Sequence, residues 1–133
     1  MQPKLTHIAL AVSNLEKTIN FYTKYCRLKV IDKRKDEKTG HKVAWIGHDL
    51  KFIIVAIEGI GNPAQSNQKP MNHLGFSLDS KEEVDKIAEL AKKEGILESG
   101  PQYFDPVEIV GYICDVSDPD GNSIEFSFGQ KLG

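Results

Sequence analysis

Apolar and polar positions alternate from Leu5 to Val12, with Ile8, Leu10 and Val12 on one side and His7, Ala9 and Ala11 on the other. That period of two predicts a half-buried strand. Ser13-Asn14-Leu15-Glu16 then has the S-x-x-E form of a capping box, in which a hydroxyl and a carboxylate satisfy the first unpaired N–H groups of a helix. Leu15, Ile19 and Tyr22 follow at helical spacing, so this helix lays one apolar stripe on a sheet. Two strands are expected at Lys29–Lys35 and His41–Ile46, joined by a turn through DEKTG, and a third at Phe52–Glu58. Residues 59–70, GIGNPAQSNQKP, have no periodicity, two prolines and two glycines, and read as a linker.

The layout then restarts. Asn72–Leu78 alternates like a strand, and Ser80-Lys81-Glu82-Glu83 is a second capping box. Val84, Ile87, Ala88 and Ala91 form a buried helical stripe that Gly95 is placed to end. Strands near Ile96–Glu98, Ile109–Val116 and Asn122–Phe128 complete the half, the last two joined by a DPDG turn in which Gly121 is structural. Both halves read βαβββ. An offset of 66 residues lays THIALAVSNLEK over NHLGFSLDSKEE, with His7 on His73 and Glu16 on Glu82. Such an internal repeat sets the architecture. The expected fold is α+β, one domain of two βαβββ modules, at about 4–58 and 71–129.

Composition narrows the class. The 133 residues are 27% charged and 40% hydrophobic, with a net charge of −2, which suits a single folded domain. No run of apolar residues is long enough for a transmembrane helix, and the N-terminus lacks the layout of a signal peptide. The balanced charge argues against a nucleic-acid partner, since phosphate contacts favour a basic face. Cys26 and Cys114 form no C-x-x-C pair and are expected to be reduced thiols in a cytoplasmic protein.

The candidate chemistry lies in the repeat. His7 and His73 head equivalent small-residue faces, His7-Ala9-Ala11 and His73-Gly75-Ser77. In the last strand, Ile124, Phe126 and Phe128 share the helix-facing side, leaving Glu125 opposite with Ser123 and Ser127. A carboxylate among such neighbours is costly to bury unless paired or coordinated to a cation. If the halves pair about a pseudo-two-fold axis, both imidazoles converge on a shared concave surface. His, His and Glu form the three-ligand set of catalytic zinc sites and of the iron facial triad, with positions left open.

Three segments, THIALAVSNLEKTINFY at 6–22, NHLGFSL at 72–78 and DPDGNSIEF at 118–126, give the chain its likeness to a known group. It resembles the vicinal oxygen chelate superfamily, also called the glyoxalase/bleomycin resistance/dioxygenase group, from about Lys4 to Gly129. The resemblance implies paired sheets forming an open β-cup, helices outside, around one divalent metal ion: Fe, Mn, Zn, Ni or Co. It implies His7, His73 and Glu125 as metal ligands, a small-molecule substrate chelated through vicinal oxygens, and a homodimer. Glyoxalase I-like relatives add a fourth ligand from the last strand of the first module. An ungapped placement puts Ile54 there, with Glu58 on the same face roughly 13 Å further along an extended strand. Either Glu58 reaches the site as fourth ligand or catalytic base, or the site has three ligands. Three ligands resemble the extradiol dioxygenases and fosfomycin-modifying thiol transferases. The implied activity is glyoxalase-like lyase or isomerase, or extradiol-type dioxygenase. The alternative is a binding or resistance protein that holds a drug or metabolite in the same cup, as bleomycin-binding members do without metal ligands.

The register of the penultimate strand decides two further candidates, Tyr112 and Cys114. With a four-residue DPDG loop, Cys114 pairs with Glu125 and Tyr112 with Ser127, placing both Cys114 and Tyr112 in the cup. Tyr112 is then a catalytic hydrogen-bond donor, and Cys114 and Ser127 are substrate contacts. A one-residue bulge would put Ile113 and Asp115 there instead. His41 and His48 are expected to be exposed near turns. Tyr103 and Phe104 are read as ordinary packing residues, with a lid as the alternative.

Overall fold

The computed structural model describes residues 1–59, 72–103 and 110–130. The chain divides into two compact units, Met1–Gln65 and Ser66–Gly133. Unit 1 contains β1 (His7–Val12), α1 (Leu15–Tyr25), β2 (Lys29–Lys35), β3 (Lys42–Gly47) and β4 (Ile53–Glu58). Unit 2 contains β5 (His73–Ser77), α2 (Lys81–Lys93), β6 (Leu97–Tyr103), β7 (Tyr112–Ser117) and β8 (Ser123–Phe128). Each unit has one four-stranded mixed sheet, ordered β1-β4-β3-β2 and β5-β8-β7-β6. In both, the first strand runs parallel to the last and the remaining pairs are antiparallel. The sequence repeat is therefore a repeat of topology, and the α+β class with two βαβββ modules is what the chain adopts. Apart from Gly59, the linker at 59–70 lies outside the described residues.

Each helix covers one face of its own sheet. Leu15, Ile19 and Tyr22 of α1 are buried, as the stripe predicts. Beneath them, Ala44, Ile46, Ile54 and Ala56 are at most 1% exposed. In unit 2, α2 buries Val84, Ile87, Ala88 and Ala91. These meet a sheet face on which Cys114, Val116, Ile124 and Phe126 are fully buried. Truncating any of the larger side chains to alanine would cost about 2–5 kcal/mol, because neighbours relax only partly into the space left.

The helix starts follow the sequence closely in unit 2 and shift by one residue in unit 1. Ser80 caps α2, accepting from the Glu83 N–H at 3.2 Å. The Glu83 carboxylate reaches back one residue beyond the cap, to the Asp79 N–H at 3.0 Å. Gly95 follows the end of α2 with φ +74°, and the Ile96 N–H closes onto the Ala91 carbonyl at 2.9 Å. In α1 the cap is Asn14 rather than Ser13. Asn14 is extended, and its Oδ1 accepts from the Lys17 N–H at 3.0 Å.

Unit 2 departs from expectation along its outer strands. β6 continues to Tyr103 instead of stopping at Glu98, with register shifts against β7 on either side of Ser99. Gly100 makes the second shift feasible: its φ is +82°, and a Cβ there would fall 2.5 Å from the Ile113 carbonyl oxygen. Tyr103 is 60% exposed, with its ring 4.9 Å from that of Tyr112. Phe104 and Ile109 lie outside the described residues. Among the described residues no helix is long and apolar enough to cross a membrane.

Candidate metal centre

The parallel pairing of β5 and β8 sets His73 against Ser123, Gly75 against Glu125 and Ser77 against Ser127. His73 and Glu125 thus share the face turned away from α2, two residues apart in register along neighbouring strands. Gly75 lies across from Glu125 on β5, where a Cβ would stand at ordinary contact distance, 3.5 Å, from Oε2. The Gln130 side-chain amide donates to that oxygen at 3.4 Å. On the other flank Asp115 of β7 is paired directly with Glu125. Its carboxylate accepts from the Ser99 hydroxyl at 2.7 Å. Two carboxylates therefore occupy directly opposed positions of this antiparallel pair.

Unit 1 presents one imidazole. His7 is exposed at the head of β1, on the face it shares with Ala9 and Ala11. Its Nδ1 is hydrogen-bonded to the Thr6 hydroxyl at 2.9 Å, which makes Nε2 the nitrogen it can offer an ion. The donor set is chemically suited to a divalent first-row metal: imidazole nitrogen and carboxylate oxygen, with no thiolate among the candidates. Among the described residues no three His, Cys, Asp or Glu side chains are gathered into a metal-sized group. The expected set draws one ligand from unit 1 and two from unit 2.

Several sequence expectations are corrected. Ile54 is not at a ligand position; it is 1% exposed on the helix-covered face. The residue of β4 that corresponds to Glu125 is Val55, because Ala9 pairs with Val55 as Gly75 pairs with Glu125. Glu58 shares the side of Ile54 and closes a helix instead of a catalytic site, its Oε2 accepting from the Leu15 N–H at 2.7 Å. A carboxylate is favoured there because the first N–H groups of α1 lack helical partners and carry the positive end of the helix dipole.

β7 takes the second of the two registers considered. Ile113 pairs with Ser127 and Asp115 with Glu125, so Tyr112 and Cys114 fall on the α2 side. The Tyr112 hydroxyl donates to Asp85 of α2 at 2.5 Å. That bond, together with burial, pushes the Tyr112 hydroxyl up to about 12. Cys114 is fully buried beneath Val84, and burial pushes its thiol up to about 12 as well, so it is neither a nucleophile nor a substrate contact. Ser127 does lie on the Glu125 face, but it is 1% exposed and its hydroxyl faces the Gln130 carbonyl oxygen at 3.5 Å. His48 is exposed, and His41 is half-buried, its ring lying against Gly59.

Asp115 is the residue that the first of the two registers leaves out. The signal that finds it is the turn. Asp118 accepts from both the main-chain and the side-chain N–H of Asn122, at 2.8 and 2.9 Å, drawing Asn122 into the loop. Pairing then resumes at Ser117 and Ser123, one residue later than a four-residue loop allows. A groove of about 650 Å³ also exists in unit 2, lined by Asp85, Ala88, Glu89, Lys92, Leu97 and Pro101. It runs along α2 on the covered side of the sheet and contains neither His73 nor Glu125.

An uncharacterized protein of Pseudomonas aeruginosa is 39% identical over all of this chain and 94% of its own length. A Bacillus subtilis protein named "Probable trivalent organoarsenical cleaving enzyme" is 31% identical over 94% of this chain and 80% of its own. Among solved structures, the fosfomycin resistance protein FosX from Listeria monocytogenes, complexed with Mn(II) and sulfate, matches with a TM-score of 0.76 and 25% identity. That match covers 98% of this chain and 96% of the other. The family model for the Glyoxalase/Bleomycin resistance protein/Dioxygenase superfamily matches residues 4–126, and the chain belongs to that superfamily.

Proposed function

We propose that this chain is a metal-dependent enzyme in which His7, His73 and Glu125 hold one divalent cation, and a small substrate chelates it through two neighbouring oxygens. The observation that carries this reading is the register of unit 2, which puts His73 and Glu125 on the same open face of neighbouring strands. His7 occupies the equivalent place in unit 1. When bound, the cation supplies Lewis acidity and substrate orientation through the positions that three protein ligands leave open. Thr6 fixes the His7 ring through Nδ1. Asp115, beside Glu125 and steadied by Ser99, is the carboxylate we assign to proton transfer, the role considered for Glu58.

Val55 supports three ligands over four, because an isopropyl group stands where a glyoxalase I-like fourth ligand is expected. We therefore place oxygenase or addition chemistry ahead of glyoxalase-type isomerisation. Cleavage of an organoarsenical fits poorly. Trivalent arsenic is a soft centre that seeks thiolates, whereas Cys26 and Cys114 are both buried and Cys114 is held as a neutral thiol. Such reduced, buried thiols suit the cytoplasm, and the family's habit supports a homodimer. A purely binding role, of the bleomycin resistance type, is disfavoured because such members lack the ligand triad that is kept here.

Metal analysis of protein purified without chelator tests the proposal, followed by turnover assays with catechols, hemithioacetals and fosfomycin. One equivalent of metal in the wild type is expected. It should be lost in His7→Ala, His73→Ala and Glu125→Ala, together with turnover of at least one substrate class. Metal-free wild-type protein that binds a small ligand equally well in all three variants would refute it.

A further inference from the structure

Glu125 has two oxygens, and on the reading above only one is needed by the cation. Oε2 is already engaged by Gln130, whose Nε2 donates to it at 3.4 Å. The same Nε2 also donates to the Val110 carbonyl oxygen at 3.3 Å. At the other end of the amide, Oε1 of Gln130 faces the Ser127 hydroxyl at 3.5 Å. This pattern fixes which way the amide points. Two acceptors surround the nitrogen and a hydroxyl donor meets the oxygen, so a flipped amide would face oxygen against oxygen twice. Ser127 is 1% exposed and sits two residues from Glu125 on the same face, so it offers a rigid seat for the amide.

From this geometry we infer that Gln130 is a positioning residue for Glu125: it holds Oε2 and leaves Oε1 as the oxygen for the cation. The inference rests on the proposed ligand set. Its physical basis is that a carboxylate arm with three rotatable bonds must be ordered before it can ligate, and a donor on the second oxygen supplies that order in advance. The sequence reading missed Gln130 because it lies beyond the last strand, where no periodicity points at it.

The test is titration of the metal-free full chain with Mn(II), followed by electron paramagnetic resonance and compared with the thermal midpoint of the same metal-free samples. Gln130→Met keeps the length and removes the donor; Gln130→Ser is a second variant should the first fold poorly. Mn(II) affinity is expected to fall about 10–100-fold in both, while the metal-free midpoint stays within about 2 °C of wild type. A residue that only ties the chain end to Val110 would give the reverse, a lower midpoint with unchanged affinity, and that result overturns the inference. Affinity within threefold of wild type in both variants overturns it too. Glu125→Gln separates the two claims. If it abolishes Mn(II) binding while the Gln130 variants bind normally, the ligand set survives and the positioning role fails. If the wild type binds no Mn(II), or Glu125→Gln binds as tightly as wild type, both fail together.

Discussion

Two rows of side chains, one from each unit, occupy the same topological position and carry opposite chemistry. Across the open face of unit 1, pairing sets Ala9, Val55, Trp45 and Asp32 in line. The matching row of unit 2 is Gly75, Glu125, Asp115 and Ser99. The first is an apolar wall closed at its edge by Arg34, whose guanidinium lies 5.0 Å over the Trp45 ring and is ion-paired with Asp32. The second is a glycine, two carboxylates and a hydroxyl that steadies one of them. A duplicated scaffold therefore does not imply duplicated chemistry: the row of unit 2 has two carboxylates at its centre, and that of unit 1 has a valine and a tryptophan there.

The sharpest way to break the contrast is to exchange the two central residues. Glu125→Val gives unit 2 the row of unit 1, and we expect bound metal to be lost and turnover to fall at least about 10³-fold, since ligand and charge disappear together. Val55→Glu in the otherwise native chain adds a fourth ligand of the glyoxalase I-like kind. The expected result is roughly tenfold tighter metal binding and weaker turnover, because one open position closes. Metal content by mass spectrometry and steady-state rates check both. Unchanged metal affinity in Val55→Glu would mean that the β4 position does not face the ion.

The outer strands come next in size. β2 and β6 both slip register against their inner neighbours, β2 around Ile31 and β6 around Ser99 and Gly100. Unit 1 makes its slip with ordinary residues at an exposed edge, whereas unit 2 brings a glycine of φ +82° against β7. Gly100→Ala should cost about 2–4 kcal/mol by denaturant titration, from backbone strain and the close approach to the Ile113 carbonyl. Ile31→Ala, at a 37% exposed position, should cost about 1 kcal/mol or less. Equal costs at both sites would remove the distinction.

Helix starts give a smaller contrast and show how far the sequence could be read. The repeat, the strand faces of His7, His73 and Glu125, and the Ser80 cap were all legible, because each is set by residues adjacent in the chain. Glu58 was not, since its partner Leu15 lies 43 residues away and only the pairing of β1 with β4 brings them together. The same holds for β7, whose register turns on the carboxylate of Asp118 gathering Asn122. Parity errors of one residue reverse a strand's faces, which is why Val55 and Asp115 replaced Ile54 and Cys114 on the open side. Removing each cap tests the reassignment of Glu58. Glu58→Ala and Ser80→Ala should each destabilise by about 0.5–2 kcal/mol, and both should leave metal content untouched. Loss of metal in Glu58→Ala alone would return that residue to the active site.

The smallest effect is in the response to pH, where the units again differ in sign. In unit 1 the shifted groups are surface acids: Asp32, held down chiefly by its bond to Arg34, and Asp36, held down chiefly by Thr39. Their contribution is present above the ordinary carboxylate value near 3.8 and is lost as pH falls through the depressed values, a slight effect for such exposed groups. In unit 2 the shifted groups are buried neutral donors. Tyr112 rises from 10.0 to about 12 because its proton is held by Asp85, and Cys114 rises from 9.0 to about 12 because its thiolate would be desolvated. A raised value means that the unfolded chain ionises first. The Tyr112 contribution is thus whole below about pH 10 and disappears between 10 and 12, while that of Cys114 begins to decline near 9. Tyr112→Phe should lower the thermal midpoint at pH 8, because the bond to Asp85 is gone, and the gap to wild type should narrow steadily from pH 10 to 12. Hydrogen exchange should locate the alkaline loosening in β7 and α2 ahead of β3 and α1. A gap that stayed constant to pH 12 would mean that the Tyr112–Asp85 bond does not hold the phenolic proton, and the tyrosine would be free to serve elsewhere.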